Sequence, residues 1–258
     1  MTAARECSEV NLQLMDVTLE VEHARAYWAH TGSEAPAGAD QVFSEYWFGA
    51  RSLPRTRVLL RAMRARFNAF PAALGVLRRW DGMGADTRRC VCHWHVQLAD
   101  PLYRRFTGAF LVARRAALRP TVTRDAVLTW LSGELADRWT TATRIQLASK
   151  LLSTSRAAGL VESTRDPRPL AVPRVPDEAL VYMLHLLRGI SFEGTLLANP
   201  YLASVGLEGA ALDERLRRHP DLQFRRQAEL IDFGWQHADL AQWAAAKLHS
   251  PALEEQRS

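Results

Sequence analysis

The stretch from Thr123 to Val175 constrains the fold most, because its order of helix caps, apolar faces and breakers admits few arrangements. Thr123-Arg124-Asp125 places a hydroxyl cap and a charged first turn ahead of Val127, Leu128, Trp130, Leu131 and Leu135, which recur at helical spacing. A turn at Asp137-Arg138-Trp139 leads to Thr140-Thr141, a second cap. The helix that follows carries Ile145, Ala148 and Leu152 on one side and stops at Gly159, a residue free to take positive φ. Leu160 to Ser163 then reads as a short strand, Thr164-Arg165-Asp166-Pro167-Arg168-Pro169 as a polar tip, and Leu170 to Val175 as a return strand. Helix, turn, helix, strand, tip, strand is the order of a winged helix-turn-helix. That unit binds duplex DNA in some proteins and only protein in others.

Charge is spread unevenly along the chain, although the net over 258 residues is only +5. Residues 1–50 hold 2 Arg against 8 acidic residues, and residues 51–119 hold 15 Arg against 3 Asp. Residues 120–258 are nearly balanced, with 16 basic and 17 acidic side chains. A block as basic as 51–119 attracts polyanions through counterion release. Lys150 and Lys247 are the only lysines. Arginine suits forked contacts to phosphate and to guanine edges. A GC-rich coding bias explains arginine over lysine, but not the missing acids.

Several function classes find no footing. No apolar run approaches the ~20 residues that a membrane-spanning helix needs, so no membrane partner is expected. Met1 to Met15 lacks the basic and apolar regions of a secretory signal. Cys7, Cys90 and Cys92 are too few for a disulfide framework, which fits a reducing cytoplasm. There is no phosphate-binding glycine loop, nucleophile elbow or dinucleotide fingerprint, so no enzymatic activity, cofactor or small-molecule substrate is expected. Cys90-Val91-Cys92-His93-Trp94-His95 offers metal-ligating side chains close together. Neighbours on a helix point about 100° apart, however, and a helix with buried cysteines is the better reading, so no metal is expected. Asp232 with Asp239, or Glu229 with Asp232, are helix-spaced acids that a nuclease subunit could use; such pairs also occur on most solvated helices.

The expected fold class is mainly α. An acidic N-terminal helix and linker (1–40) precede a basic helical domain (41–119), the winged helix-turn-helix with its small β-wing (120–178) and a helical C-terminal extension (179–258). Within these, residues 8–30 read as one helix, Thr31 to Asp40 as a linker and Val42 to Phe48 as an aromatic anchor. Leu53 to Phe67 and Ala73 to Trp80 read as helices, followed by one capped by Asp86 or Thr87. Asp100-Pro101 opens another, with Arg104, Arg105, Arg114 and Arg115 outward. Pro176-Asp177 caps a helix through Leu187. Leu196 to Tyr201, Leu212 to His219 and Gln223 to Trp235 read as short helices and turns. Ala238 to Leu248 reads as a small amphipathic helix, and Leu253 to Ser258 as a frayed end.

Double-stranded DNA is the partner these features favour. With Ile145, Ala148 and Leu152 buried, Thr143, Gln146, Leu147 and Lys150 point outward. Thr140 and Thr141 stand where hydroxyls and free N–H groups suit a phosphate, with Arg144 one turn on. Gln146 suits an adenine edge, and Lys150 a phosphate or guanine. Arg165 and Arg168 flank Pro167 at the wing, and Arg174 follows on the return strand; Asp166 offsets part of that charge. Arg51, Arg55, Arg57, Arg61 and Arg64 could line one ridge and Arg104 and Arg105, with Arg114 and Arg115, another, positioning the protein on phosphates without reading sequence. Solvated faces have the same composition. The acidic N-terminal segment could also lie over the arginines and be displaced by DNA.

Four groups of residues carry a resemblance. They are Pro101-Leu102-Tyr103-Arg104-Arg105-Phe106 with Phe110-Leu111; Trp139-Thr140-Thr141-Ala142-Thr143; Ser149 through Ser155 leading into Ala158-Gly159-Leu160-Val161; and Ala179-Leu180-Val181-Tyr182-Met183-Leu184. Together they resemble the BrxA family, accessory proteins of BREX bacteriophage-defence systems, over roughly residues 45–235. The resemblance implies a helix-rich cytoplasmic protein that binds DNA without catalysis and acts beside other BREX proteins. A protein–protein adaptor with no direct DNA role is the alternative.

Overall fold

Helices α6 (Ala85–Ala99) and α11 (Asp177–Arg188) are buried on nearly every side, and the other elements are arranged around them. The computed structural model describes residues 4–32, 36–135, 139–227 and 230–248. The turn expected at Asp137-Arg138, Glu229 and the end from Leu253 lie outside the described residues. Ahead of α6 come α1 (Gln13–Asp16), α2 (Val21–His30), α3 (Ala39–Ser44), α4 (Leu53–Phe67) and α5 (Pro71–Arg79). After it, α7 (Pro101–Arg105) passes through a π-helical stretch, Phe106–Phe110, into α8 (Leu111–Arg115). Then follow β1 (Thr121–Val122), α9 (Arg124–Leu135), α10 (Thr141–Ala157) and β2 (Arg168–Pro169). Beyond α11 lie α12 (Pro200–Ser204), α13 (Gly209–Arg218), β3 (Leu222–Gln227), β4 (Leu230–Trp235) and α14 (Leu240–Lys247). The fold is mainly α with small antiparallel sheets, and buried apolar residues form one connected cluster from Leu14 to Ala244. Among the described residues no helix is long and apolar enough to cross a membrane.

Caps set the helix starts that were legible in sequence. Ser52 Oγ accepts from the Arg55 N–H and Pro54 fits the first turn of α4. Asp100 caps α7 by accepting from the Tyr103 N–H at 2.9 Å. For α6 the cap is Gly84 rather than Asp86 or Thr87; the Thr87 hydroxyl donates instead to Glu178 on α11. The helix expected over Leu196–Tyr201 forms later, at α12, where Asn199 caps the Leu202 N–H.

Residues 8–30 do not form the single helix expected. The chain breaks between α1 and α2, with Glu20 in the left-handed region at φ 52°. The break frees the carbonyls of Val17, Thr18 and Leu19, and the buried Arg66 guanidinium donates to them at 2.6, 2.7 and 3.0 Å. Burial lowers the Arg66 pKa to about 10. Leu14, Val17, Leu19, Ala24, Tyr27 and Trp28 are all buried, so the segment is part of the core.

The second correction is at Gln223 to Trp235, which forms an antiparallel hairpin and not helices and turns. Leu222, Phe224 and Arg226 on β3 face Trp235, Phe233 and Ile231 on β4. Gln223, Arg225 and Gln227 take the other face, so the period is two and not 3.6. The inner face packs on α13.

Candidate nucleic-acid interface

Helices α9 and α10 pack through Val127, Leu131 and Leu135 against a buried side of α10 formed by Leu147, Ala148, Leu151 and Leu152. Thr123 Oγ1 caps α9 by accepting from the Ala126 N–H, and Thr140 Oγ1 caps α10 by accepting from the Thr143 N–H. Gly159 follows α10 at φ 79°. Residues 168–171 then run between β1 and residues 160–162. They pair through Val122↔Arg168 and Thr121↔Pro169 on one side and Val161↔Leu170 on the other.

The buried side of α10 is rotated from its expected position. Leu147 lies inside it, whereas Ile145 is 42% exposed. The buried arc centres between Ala148 and Leu151, which leaves Ile145 just outside it. Ala142, Ile145, Gln146, Ser153 and Arg156 form the open face, with Ser149 and Lys150 half-buried beside it. None of the residues of α10 is acidic. Thr141 is exposed at its start, and Arg144 reaches back to donate to Ser132 on α9 at 3.4 Å.

Asp166 has a structural task at the tip. Its carboxylate accepts from the Arg124 backbone N–H at 2.7 Å and from Arg168 Nε at 2.6 Å. Despite some desolvation, these donors hold its pKa below the ordinary value. The Arg124 guanidinium in turn donates to Ser149 on α10. Tip, α9 and α10 are thereby tied together, and Arg168 is drawn inward. The side chains of Lys150, Arg156, Arg165 and Arg174 have no partner among the described residues.

The arginine block is used differently from what its composition suggests. Of its 15 arginines, all but Arg51 and Arg119 have a side-chain partner among the described residues. Arg55 and Arg61 meet Glu20 and Asp16, and Arg57 meets Asp40. Arg64 donates to the Ala37 carbonyl at 2.6 Å, at the edge of a cleft of about 670 Å³ that Tyr27, Asn68 and Arg78 also line. Arg105 ties α7 to Glu134 on α9 at 2.8 Å. Arg114 and Arg115 donate to the carbonyls of Thr121, Ala203 and Ser204 instead of standing free. Arg104 was expected outward and is buried. It donates to the Gln97 and Cys7 carbonyls at 2.7 and 2.9 Å and lies 3.5 Å from Glu6, which also accepts from the Tyr201 hydroxyl. No local pattern announces this pairing, because Glu6 lies in a different segment.

In α6 the cysteines and histidines are engaged one by one. Cys90 Sγ donates to the Arg174 carbonyl, and burial pushes the Cys90 and Cys92 thiols up to about 12. Ser204 donates to the Tyr201 carbonyl, so His93 Nε2–H donates to Ser204 and Nδ1 accepts from the Tyr103 hydroxyl. His95 Nδ1–H donates to the Arg66 carbonyl, and its Nε2 accepts from the Tyr182 hydroxyl. Both rings are neutral, with pKa values lowered by burial to about 3 and about 4. The unfolded chain takes up these protons near 6.5, so stability should fall as pH drops from about 6.5 towards 4. Each histidine contributes about 1.4 kcal/mol per pH unit in that window. Asp100, raised by burial to about 6, opposes one of them below that pH. Asp100→Asn keeps the cap and should therefore steepen the acid limb of a urea-midpoint against pH profile; an unchanged limb would show that Asp100 does not titrate in this window.

The acids considered for nuclease chemistry do not share a helix. Asp232 lies on β4 opposite Arg225, and Asp239 caps α14 by accepting from the Gln242 N–H at 2.8 Å. Among the described residues no three His, Cys, Asp or Glu side chains are grouped to hold a metal.

No protein-family model matches the chain, and no curated protein matches it. A solved structure described as an uncharacterized protein from Magnetospirillum magneticum is similar at a TM-score of 0.53 and 17% identity. The match covers 70% of this chain and 98% of that one. This likeness establishes a shared fold alone.

Proposed function

We propose that the chain is a non-catalytic, duplex DNA-binding accessory protein of a BREX-type phage-defence system. In this reading α9, α10 and the strands that follow are a winged helix-turn-helix, with α10 presented to the major groove and residues 163–167 as the wing. The observation that carries it is α10 itself. The helix has no acid, leaves Gln146 and Ile145 open and carries Lys150, and Arg165 follows in the tip that Asp166 and Arg124 tie to it; neither cation has a side-chain partner among the described residues, whereas most other arginines are engaged inside the fold. The resemblance to the BrxA family supports the same reading and makes other BREX proteins the expected partners in a cytoplasmic assembly.

The test is anisotropy of a labelled random-sequence duplex at two salt concentrations. Binding should weaken steeply with salt, as phosphate contacts do. Lys150→Glu with Arg165→Glu should weaken binding by about tenfold or more and flatten the salt dependence. Arg57→Glu with Arg61→Glu should change affinity far less, because those side chains already pair with Asp40 and Asp16. Absence of binding at low salt would favour the adaptor. That second reading draws on the hairpin tip, where Leu230 and Ile231 are 76% and 48% exposed.

A further inference from the structure

We infer that the open face of α10 reads thymine methyl groups and adenine edges, so that the preferred duplex has A·T pairs at the centre of its site. The inference rests on the DNA reading above and adds a sequence class to it. Gln146 lies in the middle of the face, with the small Ala142, Ser149 and Ser153 around it, and Ile145 lies at its edge, just outside the buried arc. Small neighbours let the helix approach a groove floor, where Ile145 and Gln146 reach furthest. Ile145 is apolar and remains 42% exposed, although α9 packs against the same helix. In a major groove the apolar feature of a base pair is the thymine C5-methyl group, and a glutamine amide pairs in two places with adenine N6 and N7. No guanine-reading arginine projects from the middle of this face: Arg144 is turned back to Ser132, and Arg156 lies near the far end of the helix. Charge complementarity supplies the duplex as occupant, since α10 lacks acids and carries Lys150, and Arg124 donates to its Ser149.

The experiment compares two duplexes with the same alternating A·T core, one containing thymidine and one with each core thymidine replaced by deoxyuridine. Only the methyl groups differ. The intact protein should bind the thymidine duplex about fourfold more tightly, the worth of one buried methyl group. Ile145→Ser should bring that ratio to about one while leaving salt-dependent binding in place. Its exposed position makes a folding defect unexpected, and circular dichroism checks this. Gln146→Ala should remove the preference for an A·T over a G·C core without changing the thymidine-to-deoxyuridine ratio. Equal, salt-sensitive binding of the thymidine and deoxyuridine duplexes by the intact protein would overturn the inference and leave the DNA reading standing. No binding to either would overturn both.

Discussion

Removal of residues 1–38 is expected to leave a chain that does not fold, and not one whose arginines are freed for DNA. The segment contributes the buried side chains of Leu14, Val17, Leu19, Tyr27 and Trp28. At about 1.5–3 kcal/mol each, their loss is on the order of the whole stability of a typical domain. Two buried cations lose acceptors as well. Arg66 loses the carbonyls of Val17, Thr18 and Leu19, and Arg104 loses the Cys7 carbonyl and Glu6. An uncompensated buried charge adds about 3–5 kcal/mol of destabilisation each. The measurement is far-ultraviolet circular dichroism and a thermal melt of the truncated chain. Native helix content with a cooperative melt would show that the segment is peripheral and would revive displacement by DNA. Glu6→Ala is the local version, and should lower the melting temperature while leaving the fold intact.

Gly108→Ala is expected to be the most damaging substitution of a single small residue. Gly108 lies in the π-helical stretch, with α12 packed directly against it. An added Cβ would stand 2.7 Å from the Pro200 carbonyl oxygen and 2.8 Å from Pro200 Cα, and backbone cannot swing aside as a side-chain tip can. Moving α12 also disturbs Tyr201 against Glu6, Ser204 against His93, and the carbonyls held by Arg115. The expected cost is about 3 kcal/mol, or roughly 6–12 °C in melting temperature. Gly75→Ala on α5 is the contrast. Nothing lies within 4 Å of that position, so alanine should stabilise by about 0.4–1 kcal/mol. If both variants melt together, the close approach at Pro200 is not structurally restrictive.

Local signals were legible where the chemistry is local. Asp100 with Pro101, and Thr140, announce helix starts that appear as read, because a cap is a contact between residues three apart. What was not legible depends on distant partners. Arg104 looks like any outward arginine until Glu6 and Cys7 are brought to it across the fold. The open face of α10 depends on where α9 lies, and a modest rotation exchanges Ile145 for Leu147. The alternation in Leu222–Gln227 and Leu230–Trp235 was present in sequence, but charged and amide residues between the apolar ones also fit a solvated helix. The largest misreading was of charge. Fifteen arginines suggest an open phosphate-binding surface, yet thirteen serve carbonyls and carboxylates of the same chain.

The two lysines stand in opposite circumstances. Lys247 is paired with Asp221 at 2.8 Å, whereas Lys150 on α10 has no partner among the described residues. Arginine does not react with ordinary acylating agents or form imines as a primary amine does. Among the side chains, amine chemistry therefore meets only two groups, one held by a carboxylate and one without a partner among the described residues. Acetylation at Lys150 would remove a charge from the α10 surface while leaving untouched the guanidinium groups that hold the core together.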